Sequence, residues 1–259
     1  MMVDTNLSSL SLTLGVQGQA DDDTQPLGGS LLLAVDCFAP LVSASLRDFQ
    51  FVAVTNYEFN LFFGLFTAGA TNLEIVHAAP GPLQPYAAVQ PGGEVAFSNV
   101  PHKLRGTGAY EANDFVCQFL IDSGVPCQDV IDLAGRTTSP ITSFPGTLSL
   151  SNGVLRFLGS FRFGPVPVAP GTTLSGSAIV AASGNIQPCL DIRLGDLPNE
   201  HLVSWSSAFE GFTLFRAASL KSPIQWEPTQ PLFISDDGST VSAVLRQAGG
   251  SGFYRLSRE

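Results

Sequence analysis

The stretch Ser9-Leu10-Ser11-Leu12-Thr13-Leu14-Gly15-Val16 decides the fold class. Apolar residues occupy every second position and small or polar ones the positions between, the two-residue period of a strand with one face in a core. Working outward, a second strand runs from Ser30 to Asp36. Val42, Ala44 and Leu46 begin a third, whose phase slips near Asp48 so that Phe49 and Phe51 continue on the shifted face, the signature of a bulge. Further strands are read at Asn72 to Ala78, around Val95 and Phe97, at Lys103 to Tyr110, and through Leu174, Ala178 and Val180. Asn152-Gly153, set between Thr147–Leu150 and Val154–Phe163, predicts a tight hairpin.

Three segments read less simply. Tyr57 to Phe66 has its phenylalanines at helical spacing, but Gly64 and the neighbouring strands favour a strand buried on both faces. Phe115 to Ala134 reads as a short helix or a disulfide-tied loop. Asp21-Asp22-Asp23-Thr24 reads as an exposed loop, and a Pro- and Gly-rich loop runs from Ala79 to Gly93.

The fold expected is therefore all-β: a large β-sandwich, with a β-barrel as the alternative, over residues 1–187, then a small β module over residues 188–259. Their joint, Ile186 to Pro198, is expected to pack on the first domain. Composition agrees. With 26 Gly and 18 Pro in 259 residues, turns interrupt the chain too often for long helices, while 44% hydrophobic residues suffice for a core.

Only 13% of residues are charged, a low share typical of extracellular β proteins, and the net charge is −10. That sign repels phosphate backbones, which argues against nucleic-acid binding. The 12 basic residues form no run that would dock on anionic lipid. No segment reaches the ~18–20 uninterrupted apolar residues of a transmembrane helix. Met1-Met2-Val3-Asp4 has neither the basic nor the apolar part of an export leader, so a secreted or cell-surface protein would have had its leader removed and Met1 supplied for expression.

The four cysteines, Cys37, Cys117, Cys127 and Cys189, suggest disulfides formed in an oxidising compartment. Three connectivities are open, as are four buried thiols. Cys117–Cys127 is favoured because the two flank a short Gly-Pro segment, which leaves Cys37–Cys189. A structural zinc site is disfavoured, since no Cys-x-x-Cys pair exists.

From Cys189 onward the pattern changes. Ile192 and Leu194 form a short strand, followed by Val203-Ser204-Trp205, Gly211-Phe212-Thr213-Leu214, the turn Leu220-Lys221-Ser222-Pro223, Ile224-Gln225-Trp226, Val241 to Leu245, and Gly252-Phe253-Tyr254-Arg255-Leu256. This series resembles a small C-terminal module of secreted bacterial proteins and is similar to a shortened fibronectin type III or immunoglobulin-like module. The resemblance implies export and a β-sandwich, and no activity. The large domain resembles only uncharacterised exported β domains. Trp205 and Trp226 are read as core residues, each in a strand; the functional alternative is a sugar-stacking platform.

Catalytic signatures are missing from the sequence. It has no Gly-x-Ser-x-Gly elbow, and His77, His102 and His201 make no metal-binding pair by spacing. Glu58, Glu74, Glu94 and Asp48 are acids in or near strands, Glu74 lies close to His77 and Asp36 beside Cys37, but neither spacing is diagnostic. Asp21, Asp22 and Asp23 are weak Ca²⁺ candidates lacking the spaced acid pattern of a cation loop. Asp236-Asp237-Gly238 reads as a hairpin turn, and Gly249-Gly250-Ser251-Gly252 as a loop rather than a phosphate cradle.

The expectation is a non-catalytic exported surface, matrix or adhesion protein without a cofactor, contacting a glycan, a cell-surface protein or its own copies through edges and loops such as Ala79 to Gly93. One alternative is a carrier of a hydrophobic ligand, suggested by the 19 phenylalanines. The other is a polysaccharide-active enzyme using Glu74, His77 or Glu94.

Overall fold

The structure is a computed structural model, and it describes residues 1–35, 41–81, 84–122, 126–186, 188–195, 197, 199–209, 211–238, 240–246 and 252–257. The strands are β1 (Met2–Val3), β2 (Ser9–Val16), β3 (Gln19–Val35), β4 (Ser43–Ala53), β5 (Tyr57–Leu61), β6 (Phe66–His77), β7 (Ala87–Ala88), β8 (Glu94–Val100), β9 (His102–Ala112) and β10 (Gln128–Asp132). They continue as β11 (Ile141–Ser151), β12 (Val154–Ala169), β13 (Thr172–Asn185), β14 (Asp191–Leu194), β15 (Glu200–Ser206), β16 (Thr213–Ala217), β17 (Glu227–Pro228), β18 (Phe233–Asp236), β19 (Thr240–Arg246) and β20 (Phe253–Ser257). A single α-helix among the described residues, α1, spans Asp114–Asp122.

By contacts the chain divides into two units. The first comprises Met1–Ala34, Ser43–Leu148 and Arg156–Gly184; the second comprises Val35–Val42, Ser149–Leu155 and Asn185–Glu259. The first unit is built on a 13-stranded sheet in the order β10-β9-β6-β4-β3-β1-β13-β12-β11-β8, with β2 joining β13 and β3, β5 on β6, and β7 on β4. Among the described residues its ends, β10 and β8, are not paired with each other, so the fold is all-β and sandwich-like rather than a clearly closed barrel.

The sheet folds over an aromatic core. Phe51 of β4 lies 5.7 Å from Phe161 of β12 and 6.4 Å from Phe144 of β11, although three strands separate β4 from β12 in the sheet order. Phe144 in turn meets Phe157 at 5.4 Å and Phe161 at 5.0 Å. Each such ring contributes roughly 1.5–3 kcal/mol by leaving water. The alternation of β2 appears as buried Leu10, Leu12, Leu14 and Val16. The slip in β4 is also present: Ala44 and Leu46 are buried, then Phe49 and Phe51 on the opposite parity.

Two expectations are corrected. Asp21-Asp22-Asp23-Thr24 is not a loop but part of β3. Gln17 and Gly18, at φ 48° and 84°, turn the chain so that Leu14 opposes Asp21 and Leu12 opposes Asp23. Opposed residues share a face, so Asp21 and Asp23 lie on the side of the core leucines. There they accept hydrogen bonds from the N–H groups of Asn60 (2.7 Å) and Glu58 (2.9 Å) on β5. Successive amides of a strand point to opposite edges, and β6 occupies one edge of β5. The acids cover the other, an inward-facing charge that blocks further pairing. Burial raises the Asp23 pKa, but hydrogen bonds from Glu58, Gln25 and Thr24 outweigh it and hold the carboxyl below its ordinary value.

Tyr57 to Phe66 is not one strand either. β5 ends at Leu61, and Phe62-Phe63-Gly64 turn at φ 52°, 62° and 82° before β6 begins. Tyr57 anchors the first arm through a hydrogen bond from its hydroxyl to Leu10 O at 2.9 Å. Phe115 to Ala134 contains both expected features: helix α1 and a Cys117–Cys127 disulfide. Cys189 is also disulfide-bonded, and Cys37, its expected partner, lies outside the described residues.

The second unit has a four-stranded sheet, β14-β15-β19-β18, and a three-stranded one, β17-β16-β20. Its core holds Val203, Trp205, Phe209, Leu214, Ala243, Leu245 and Leu256. The tip of the β11–β12 hairpin belongs here, not to the large domain. Gly153 N–H donates to Ala208 O, Ile186 N–H donates to Gly153 O, and Leu150 packs on the core. A Cβ on Gly153 would stand 3.0 Å from the Phe212 ring, so glycine is needed for both its φ of 72° and this contact. The second turn follows expectation: Asp236 and Asp237 close it by accepting from Gly238 N–H and Thr240 N–H. Of the glycine loop, Gly249, Gly250 and Ser251 lie outside the described residues.

Candidate functional site

The most exposed aromatic group of the first unit stands where the β5–β6 turn meets α1. Leu65 O accepts from Asn113 N–H at 2.9 Å, which joins the turn to the helix start. Asn113 then caps the helix, its side-chain oxygen accepting from Val116 N–H at 3.1 Å. Val116 and Leu120 are buried and seat the helix, while Cys117–Cys127 ties it to the chain entering β10. Beneath the turn, Phe66 stacks on Tyr110 at 5.3 Å, and the Tyr110 hydroxyl donates to Pro126 O.

On this base Phe63 is wholly exposed and Phe115 is 80% exposed. Phe62, Asp114, Phe115, Val116, Gln118 and Asp122 line an open recess beside them. Two consecutive phenylalanines at positive φ are unfavourable, since the left-handed region strains any residue with a bulky Cβ, and strain of this kind is concentrated at functional sites. The cost is of order 1–3 kcal/mol per residue. The lobe thus offers flat aromatic faces bordered by two carboxylates and an amide. Sequence reading missed it because phenylalanines at this density read as core; Gly64 after Phe62-Phe63 is the local sign of a turn.

The other candidates are distributed differently. His77 and His102, apart in sequence, are register partners on β6 and β9, and both are buried. Among the described residues neither ring nitrogen of His102 has a hydrogen-bond partner, and its burial beside Phe163 lowers its pKa to about 4. Burial also lowers the His77 pKa, against opposing effects from Asp48 and the Ala79 N–H. Glu74 points away from this pair, toward Arg105 at 3.7 Å and Gln50 at 3.2 Å, so Glu74 and His77 do not form an acid–base couple. Glu58 and Glu94 are exposed, and His201 lies on β15 in the second unit.

Asp22 is exposed while Asp21 and Asp23 bind β5 amides, so the three acids do not converge. No group of three or more metal-ligating side chains occurs among the described residues. Trp205 is in the core, but Trp226 is not: it precedes β17, is half-buried, and carries the Arg255 guanidinium 4.5 Å from its ring. The apolar cavity beside Phe59 and Phe66 measures about 40 Å³, far below the ~300 Å³ of a small-molecule site. Among the described residues no helix is long and apolar enough to cross a membrane.

No protein family, curated protein or solved structure matches this chain.

Proposed function

We propose that the chain is a non-catalytic, exported binding protein, a surface or matrix component that holds a glycan on the Phe62-Phe63-Phe115 lobe. The observation that carries this reading is the strained pair Phe62-Phe63, half-buried and fully exposed in turn, fixed beside exposed Phe115 on a disulfide-tied helix. Solvent-exposed aromatic surface in a preorganised setting is a binding feature, because it opposes the tendency of apolar area to leave water. The electron-rich ring face attracts the polarised C–H bonds of a sugar, while Asp114, Gln118 and Asp122 supply hydrogen bonds for hydroxyl groups. A net charge of −10 disfavours an anionic membrane as the partner.

Export is supported by the disulfides and the low charge. The likeness of the second unit to an immunoglobulin-like or fibronectin type III module is supported by its strand order. With β14, β15, β18 and β19 taken as A, B, D and E, the first sheet reads A-B-E-D, and the second groups the remaining strands, as in that sandwich.

The test is retention on immobilised neutral polysaccharides, with release of reducing ends measured in parallel. Retention without release, lost in the Phe63→Ser/Phe115→Ser double variant, is the expected outcome. Cleavage of a retained polysaccharide, or an unchanged double variant, would refute the proposal.

A further inference from the structure

The second unit carries a concave pocket of about 470 Å³, within the range of small-ligand sites. It opens at the rim of the core face of the β17-β16-β20 sheet. Leu214 and Leu256 lie on that face, in the core. Two residues along each strand, on the same side, come Arg216 and Tyr254, which are register partners. Glu227 of β17 opposes Arg216 from the other edge. Arg246 of β19 joins from the facing sheet, and the turn after β16 contributes Lys221 and Gln225.

Three of the molecule's 12 basic residues therefore line one pocket, against a single carboxylate, in a chain of net charge −10. Arg216 makes no ion pair among the described residues, and its Nε is buried without a hydrogen-bond partner. A buried donor left unpaired is unfavourable, and native structures satisfy nearly all of them. Gly252 makes room for this group: a Cβ there would stand 3.0 Å from Arg216 Nε and 3.3 Å from the Tyr254 hydroxyl. Among the described residues, the ion pair of Arg246 is a 3.4 Å contact to Glu200.

We propose that this pocket binds the carboxylate of an acidic sugar, with Arg216 as the principal donor, Lys221 and Arg246 as supporting charge, and Tyr254 and Gln225 meeting hydroxyl groups. A guanidinium matches a planar carboxylate with two parallel hydrogen bonds. Glu227 reduces the local positive charge, which suits a singly charged group over a doubly charged phosphate. The site shares no residue with the aromatic lobe and does not depend on it.

The full chain is titrated with tetramers of galacturonate, glucuronate and mannuronate, and with the methyl-esterified form of each. The expected result is binding of at least one acid tetramer, at least tenfold weaker for its ester. Arg216→Gln should weaken it at least tenfold and the surface variant Lys221→Gln about threefold, both with the wild-type melting profile. Equal affinity for acid and ester, no affinity for any acid tetramer, or wild-type affinity in both variants would overturn the proposal. If Arg216→Gln does not fold, wild-type affinity in Lys221→Gln alone overturns it.

Discussion

His77 and His102 face each other across the antiparallel pair β6–β9, both buried, with Phe49 against one ring at 5.3 Å and Phe163 against the other at 5.5 Å. Asp48 is the charged group acting on His77, whereas among the described residues burial alone acts on His102. The folded-state pKa of His102, about 4, lies below its ordinary 6.5, so between these values the unfolded chain binds a proton that the folded one does not. Stability is therefore full above pH 6.5 and falls as pH drops toward 4, by about 2 kcal/mol between pH 7 and pH 5 from His102 alone. Urea denaturation at the two pH values measures this. His102→Leu should flatten the profile, and an unchanged slope would show that the acid sensitivity lies elsewhere.

The lobe should trade stability for exposure. Phe63→Gly removes a bulky residue from a φ of 62° and buries nothing less, since the ring is already in water. It should stabilise the first unit by up to about 1 kcal/mol, after the entropy cost of glycine is subtracted. A lower melting temperature in this variant would mean that the turn is not strained.

The inward acids make a different prediction. Asp21→Ala with Asp23→Ala removes the protein acceptors of the exposed Asn60 and Glu58 amides, at a net cost of about 0.5–1.5 kcal/mol each. It also uncovers an edge of β5, so the variant should self-associate at concentrations where the parent is monodisperse. Light scattering reads the second effect separately from the loss of stability. Because Asp21 and Asp23 are occupied and Asp22 points elsewhere, adding Ca²⁺ should leave the melting temperature of the parent unchanged.

Gly29 of β3 lies tight against the backbone of β4. Its φ is 116°, and a Cβ would fall 2.0 Å from Gln50 O. Gly29→Ala therefore has to move backbone rather than a flexible side chain and should cost more than about 2 kcal/mol, read from the shift in denaturation midpoint.

The parts legible in the sequence were those set by local period and turn chemistry. Leu10 to Val16 alternate because one face of β2 meets the core, Asn152-Gly153 turn because both residues accept positive φ, and the slip at Asp48 shows where the buried parity changes. What depended on distant partners was not legible. Three consecutive acids belong in a strand only if the amides of Asn60 and Glu58 await them. The juxtaposition of His77 and His102 follows from the register of β6 on β9, not from their spacing. Phe62 and Phe63 read as core because composition reports hydrophobicity and not which side of a turn a ring occupies. Trp226 read as core for the same reason, whereas Arg255 covers its ring at the surface.

Glycan binding at the aromatic lobe is the function proposed for this chain. It is tested most directly by titrating the parent and the Phe63→Ser/Phe115→Ser variant with a neutral oligosaccharide from whichever polysaccharide retains the parent, following heat release. The parent should show measurable affinity and the variant a loss of at least tenfold, with unchanged melting. Equal affinity in the two proteins would contradict it.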